Sequence, residues 1–185
     1  MRVIGGTYRS RRLAAPRGLA TRPTSDRLRE TLFNVLAPRI EGAVFADLYA
    51  GSGAVGIEAI SRGASLVYFV DSAPSAVAAI RTNLAALKIT SGFQILSSTV
   101  SAALRRLTET SGRCSIVFLD PPYAAENDYA GALSGIGHGA DSLLTADGIV
   151  IAEHTRKMPL AECYGPLKRY RVLEQGDAGL SFYTR

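Results

Sequence analysis

The sequence predicts an α/β fold, a mostly parallel sheet with helices packed on both of its faces. Three observations carry that expectation. After residue 42, short apolar runs alternate regularly with stretches whose apolar residues recur at helical spacing. The first of these runs leads through Gly51-x-Gly53-x-x-Gly56 into a helix, a glycine turn of the kind that brings backbone N–H groups up to a ligand. Near the end, two β-like runs at 170–173 and 180–183 flank Gln175-Gly-Asp-Ala-Gly179 and read as a closing antiparallel hairpin.

Taken in order, Gly5-Gly6 between Val3-Ile4 and Thr7-Tyr8 predicts a hairpin turn, with Arg9, Arg11 and Arg12 following on the second strand. Tyr8 among these arginines suits either stacking on a base or packing in the core. A connector rich in Gly and Pro spans 16–23, and a helix starts at Thr24 or Ser25. Leu28, Leu32, Val35 and Leu36 form its apolar face, and Pro38 and Gly42 end it. Strands are then expected at 44–48, 66–70, 93–96, 116–119 and 149–152, and helices at 55–62, 74–87 and 100–107. Pro74 opens the second of these helices, whose buried stripe is Val77, Ile80, Leu84 and Leu87. The glycine-rich 130–138 gives only a weak helical signal.

Length and composition limit the function classes. With 185 residues, 47% hydrophobic and 20% charged, the chain is one ordinary globular domain with room for a small appendage. No apolar run approaches the roughly 18 residues of a membrane span, and the basic N-terminus lacks the apolar segment of a signal peptide. Cys114 and Cys163, with His138 and His154, show no metal-ligand spacing, so no metal is expected; both cysteines read as small core residues in a reducing cytoplasm. Charge is uneven. Residues 1–39 hold nine arginines against Asp26 and Glu30, in a chain whose net charge is only +5. A basic arm on a slightly acidic body reads as a nucleic-acid contact surface, or else as a solvated charged face.

The glycine turn carries the first chemistry. Asp71 follows Gly51 by twenty residues and closes an apolar run, where a ribose-binding carboxylate belongs. Asp47, at the strand end just before the turn, would repel the pyrophosphate of a dinucleotide and suits a cation. S-adenosylmethionine carries a sulfonium and an ammonium and no phosphate, so it fits better than NAD. The plainer alternative is that the glycines serve helix packing and Asp47 caps the helix.

The second motif is Asp120-Pro121-Pro122-Tyr123, which follows a buried strand and so falls at the carboxyl edge of the sheet, across the crevice from the glycine turn. Its residue types suit methyl transfer to an exocyclic amine, whose lone pair is conjugated into the ring. The Asp120 carboxylate and the Pro121 carbonyl can accept its two N–H bonds and aim the lone pair, while Tyr123 offers a face for the base. A rigid turn with a core tyrosine is the alternative.

Together the 45–56 stretch and Asp120-Pro121-Pro122-Tyr123 resemble the class I S-adenosylmethionine-dependent methyltransferases that act on exocyclic amino groups. The N-terminal runs Arg2-Val-Ile-Gly-Gly-Thr-Tyr-Arg and Arg22-Pro-Thr-Ser-Asp-Arg27-Leu-Arg-Glu30-Thr-Leu-Phe33-Asn34 resemble those of the RsmD-type guanine-N2 methyltransferases of bacterial small-subunit ribosomal RNA. That resemblance covers essentially the whole chain. It implies a Rossmann-like core with a seven-stranded, mostly parallel sheet (21–185) and an N-terminal β-hairpin extension (1–20) that binds RNA, acting as a monomer on 16S rRNA within the small ribosomal subunit. It further implies that Asp47, Tyr49, Gly51, Gly53, Asp71, Ser72 and Asp120 surround the cofactor, with Ser98 standing where the family reads the adenine. Asp120, Pro121, Pro122 and Tyr123 would hold guanine, and Tyr8, Arg9, Arg11, Arg12, Arg22, Thr24 and Arg27 would meet RNA. Two other readings stay open on the residues: a DNA adenine-N6 methyltransferase, disfavoured because nothing between Tyr123 and Ile149 is long enough for a DNA-recognition domain, and a non-catalytic RNA-binding module.

Overall fold

The computed structural model describes residues 1–16, 25–110, 112–121, 126–137 and 143–185, with the backbone alone at 126 and 127. Thirteen elements are found among them: α1 Asp26–Leu36, β1 Val44–Leu48, α2 Ala54–Ser61, β2 Leu66–Asp71, α3 Pro74–Ala86, β3 Phe93–Ser97, α4 Val100–Glu109, β4 Cys114–Leu119, α5 Glu126–Gly137, β5 Leu144–Thr155, β6 Cys163–Tyr164, β7 Leu167–Gln175 and β8 Ala178–Thr184. They build one sheet in the order β3-β2-β1-β4-β5-β8-β7-β6. The first five strands are parallel, and β8, β7 and β6 add antiparallel to one another on β5. This is the expected α/β class. The strand beyond the expected seven is β6, only two residues long.

The inner parallel strands β1, β2, β4 and β5 are largely buried on both faces, which is why they read as apolar runs, whereas β3 at the sheet edge is partly exposed and carries Gln94. Phe45, Phe69, Ile116, Phe118, Ile151 and Phe182 join one core with α1, α2 and α3; Ala46, Leu48, Val70, Val117, Leu119 and Tyr183 join the other with α4 and α5. Ser25 caps α1 by accepting the N–H of Leu28 at 3.1 Å. Phe33, outside the four-residue stripe read from the sequence, is fully buried and stacks on Phe45 with centroids 6.3 Å apart.

Strand order places the site. β1 is followed by β2 and β3 on one side, and the chain then crosses to β4 on the other, so a crevice opens where β1 and β4 lie side by side. Leu48 is in register with Val70 and Leu119, and Asp71 with Ser97, so the strand ends that carry the motifs line one edge of the sheet.

The N-terminal hairpin differs from expectation. Its arms meet at an antiparallel Arg2–Arg12 bridge, with Val3 N–H on Arg11 O at 2.9 Å and Leu13 N–H on Met1 O at 3.1 Å, so the reversal spans residues 4–10 instead of Gly5-Gly6. The two glycines serve close approach. A Cβ on Gly6, whose φ is +73°, would run into the Ser61 carbonyl, and one on Gly5 into the Arg62 guanidinium.

Three further expectations change. α5 is a full helix, because Tyr129, Leu133 and Ile136 bury against the sheet and outweigh its glycines. β5 continues through Glu153 and His154, whose burial is made tolerable by partners; the His154 ring Nε2 lies 2.8 Å from Ser181 Oγ. Cys114 is buried as expected, but Cys163 is exposed on the short β6.

Candidate active site and cofactor cavity

The glycine turn is built by its neighbours. Asp71 Oδ2 accepts the N–H of Gly51 at 2.8 Å, while its Oδ1 accepts that of Ala73 at 2.9 Å. Each oxygen keeps a lone pair for a further donor, such as a ribose hydroxyl. Asp47 lies underneath the turn, 2% exposed, with Oδ2 on the N–H of Gly56 at 2.8 Å. Burial, augmented by the charge of Asp71 and opposed by the Gly56 hydrogen bond, pushes the Asp47 carboxyl up from 3.8 to about 7. Gly53 precedes α2 at φ +76°, and a Cβ on Gly56 would collide with the Phe69 ring, so both glycines are required by backbone shape or packing. Tyr49 holds φ +63°, a left-handed conformation uncommon for a tyrosine, just where the chain leaves β1.

Beside the turn lies a cavity of about 1020 Å³. Its walls are Tyr49, Asp71 and Ser72 at the ends of β1 and β2, Ser98 to Ser101 after β3, and facing surfaces of α4 and α5. Among the described residues, the charged side chains in the lining are Asp71, Glu109 and Asp128 against Arg105. Three acids to one base favour a cationic ligand over one bearing a pyrophosphate. Four of the expected cofactor residues, Tyr49, Asp71, Ser72 and Ser98, border this space. Asp47, Gly51, Gly53 and Asp120 are absent from its lining; the first three shape the turn from below and behind.

The second motif stands next to the first. Asp120 follows β4, half-buried, and its N–H points at Leu48 O at 3.5 Å, one residue before Tyr49. Pro121 is buried behind it, and Pro122 and Tyr123 lie outside the described residues.

Of the residues expected to meet RNA, Arg9, Arg11, Arg12 and Arg27 are exposed. Arg9 and Arg27 border a smaller cleft between the N-terminal loop and α1, together with Arg2, Ser10, Asp26 and Glu30. Tyr8 is half-buried and packs against the core, which favours the second of its two readings. Arg22 and Thr24 lie outside the described residues. Arg29 does not belong to the basic surface at all. It is fully buried, with Nη2 on Arg2 O at 2.6 Å and on Asp26 Oδ1 at 2.8 Å, and burial lowers its pKa against the pull of Asp26, Glu58 and Glu153.

Sequence reasoning missed the residues that dock the N-terminal loop onto this site. Glu58, buried on α2, accepts the N–H groups of Ile4 and Gly5 at 2.7 Å each and pairs with Arg62 at 2.7 Å. Ser61 Oγ accepts the N–H of Tyr8 at 2.9 Å. A buried Glu and Ser one helical turn apart on the helix that follows a glycine turn was the available signal, since neither suits an apolar face without a partner.

The family described as Conserved hypothetical protein 95 matches residues 1–184. The chain belongs to this family, that of the RsmD-type methyltransferases. YlbH of Bacillus subtilis, named as a candidate rRNA methyltransferase, is 36% identical over 185 residues, covering 100% of this chain and 99% of its own. Ribosomal RNA small subunit methyltransferase D of Escherichia coli K12 is 41% identical over 123 residues, 66% of this chain and 60% of that protein. The solved structure of yhhF from Escherichia coli, named as a candidate methyltransferase, superposes with a TM-score of 0.83 at 31% identity, covering 100% of this chain and 97% of that one. A more distant protein, SMU.776, named as a candidate methyltransferase and crystallised with S-adenosylhomocysteine, shares the fold at a TM-score of 0.62, 17% identical over 84% of this chain and 49% of that one. The Rossmann-like class I methyltransferase architecture expected for this RsmD-family chain is therefore the one it adopts.

Proposed function

We propose that this chain transfers a methyl group from S-adenosylmethionine to the exocyclic N2 amine of a guanine in 16S rRNA of the small ribosomal subunit. The observation that carries the reading is the adjacency of an acid-lined cavity at the β1 glycine turn to Asp120 at the end of β4, two strands in register across the crevice. The names of the relatives support rRNA as the substrate class, and the fold neighbour crystallised with S-adenosylhomocysteine supports the cofactor.

The residues present fit that cofactor. Asp71 offers acceptors to a ribose, Ser98 and the α4–α5 wall enclose a base, and the negative lining suits the ammonium and sulfonium. When bound, the cofactor supplies an electrophilic methyl. The chain's part is orientation. Asp120 and the Pro121 carbonyl accept the amine's hydrogens, so the nitrogen lone pair, otherwise conjugated into the ring, is aimed along the line of transfer. The exposed arginines of the N-terminal loop hold phosphates and carry affinity with little sequence reading.

The test is transfer of labelled methyl to small subunits, naked 16S rRNA and duplex DNA in parallel, followed by nucleoside analysis. N2-methylguanosine from the RNA arms is expected. Methylated adenine from DNA would replace this reading with the DNA adenine-N6 one, and no transfer to any substrate would favour the non-catalytic module.

A further inference from the structure

Asn83, on α3, is 2% exposed and joins the N-terminal segment to the glycine turn. Its Oδ1 accepts the N–H of Ala14 at 2.8 Å, and its Nδ2 donates to Ala14 O at 3.0 Å and to Ser52 O at 2.9 Å. Ser52 sits in the turn itself, between Gly51, whose N–H is held by Asp71, and Gly53 before α2. The segment's opposite end is fastened by Glu58 to α2, the helix that this turn leads into, and Ser52 Oγ lies 3.5 Å from Met1 Sδ. The loop that presents Arg9, Arg11 and Arg12 is therefore bonded at both ends to the elements that shape the cofactor turn.

We propose that Asn83 is a positioning residue that couples the two sites, so that RNA bound to the N-terminal loop favours the turn geometry in which the cofactor binds. This rests on the reading above, in which the loop takes RNA and the cavity takes S-adenosylmethionine. The physical reason is the buried amide. With Ala14 undocked, Asn83 Oδ1 loses its hydrogen bond and Nδ2 keeps only Ser52 O, which lets the side chain and the Ser52 carbonyl shift together. With Ala14 docked, the amide is fixed by three bonds and the turn with it. Holding the segment down from outside then stabilises the turn, and the coupling is reciprocal: the cofactor raises RNA affinity by the same factor.

Calorimetry of S-adenosylhomocysteine with the full chain, with and without saturating 16S rRNA, reads the coupling directly. The wild-type chain should bind more tightly in the presence of RNA, by up to the reciprocal of the fraction of free chain in which Ala14 is docked. Asn83→Ala should bring that ratio close to one while binding itself persists. A residue that only supported the fold would lower the melting temperature and leave the ratio alone. Glu58→Gln, which loosens the other end of the segment at a residue that does not line the cavity, should shrink the ratio as well. Hydrogen exchange on the wild-type chain needs no variant, and the backbone amides of Gly51 to Gly53 should gain protection when RNA is added without cofactor. Equal affinities with and without RNA, or unchanged exchange in the turn, would overturn the coupling alone. Failure of the wild-type chain to bind S-adenosylhomocysteine would overturn the cofactor reading, and the coupling with it.

Discussion

The carboxylate of Asp47 and the backbone of Gly56 are bonded at 2.8 Å beneath the glycine turn, so the end of β1 and the first turn of α2 move as one piece. The arrangement holds an acid in an apolar place, 2% exposed and close enough to Asp71 to feel its charge.

That placement sets a pH dependence. The folded chain keeps the Asp47 proton up to about pH 7, whereas the unfolded chain releases it near 3.8. Between those values the folded state binds more protons, so this group's contribution to stability falls as pH rises and levels off above 7. A cationic cofactor favours the carboxylate. Its affinity should therefore climb by up to about tenfold per pH unit below 7 and flatten above it, as linkage to one proton requires. Calorimetry from pH 5.5 to 8.5 checks this, and Asp47→Asn, which keeps an acceptor for Gly56, should lose the dependence that this group supplies. A profile identical in the two proteins would exclude Asp47 as its source.

Glu58 makes a second prediction, on stability. It is fully buried, and its oxygens serve two backbone N–H groups and Arg62. Glu58→Ala leaves those donors without their acceptor and should cost roughly 3 kcal/mol, the low end for breaking a buried charged network. For a domain of this size that is a fall of about 10 °C in Tm. A change under about 2 °C would show that the loop is not docked in solution. Removing residues 1–20 carries a similar cost, because Val3 and Leu13 belong to the core. Loss of activity in such a deletion therefore does not by itself report loss of RNA binding.

Changing only exposed arginines separates the two effects. Arg9, Arg11 and Arg12 project from the docked loop, and none of their side chains is needed for its hydrogen bonds to α2, which run through backbone groups. The triple substitution to alanine should leave Tm and S-adenosylhomocysteine affinity almost unchanged. It should reduce the slope of log affinity for RNA against log salt by up to about three, one for each phosphate that no longer meets a guanidinium. An unaltered slope would return these arginines to a solvated surface.

Much of this architecture is legible in the amino-acid sequence, and the exceptions share a cause. Four of the five parallel strands are legible because burial on both faces leaves apolar runs bounded by Gly or Asp, and the edge strand β3 because Phe93, Ile95 and Leu96 alternate around Gln94 between Gly92 and Ser97. The turn and its acids are legible because Gly51, Gly53, Asp47 and Asp71 are close in sequence or at a fixed offset. Gly5-Gly6 misleads because two glycines give the same local signal whether they turn a hairpin or admit a neighbouring backbone, here that of Ser61. Glu58 and Asn83 show in the sequence only as polar residues on largely apolar helices, and their partners are not legible because they are backbone groups 54 and 69 residues away. Cys163 reads as a core residue by type alone, and the edge strand it occupies leaves it exposed.

Asp120 gives the sharpest division between chemistry and binding. It follows β4 beside Leu48, whereas the cavity proper is bordered by residues of β1, β2, α4, α5 and the segment after β3. Asp120→Ala should therefore lower kcat on small subunits by about two or more orders of magnitude, the scale expected when a transition-state interaction is removed, with little effect on S-adenosylhomocysteine affinity. Asp120→Asn retains one acceptor oxygen. It should keep measurable turnover if the group only accepts a hydrogen bond from the amine, and should fall as far as alanine if the negative charge is needed as positive charge develops on the nitrogen. Single-turnover methylation with saturating cofactor distinguishes these outcomes. Near-normal turnover in Asp120→Ala would place the reacting amine elsewhere and remove this residue from the active site.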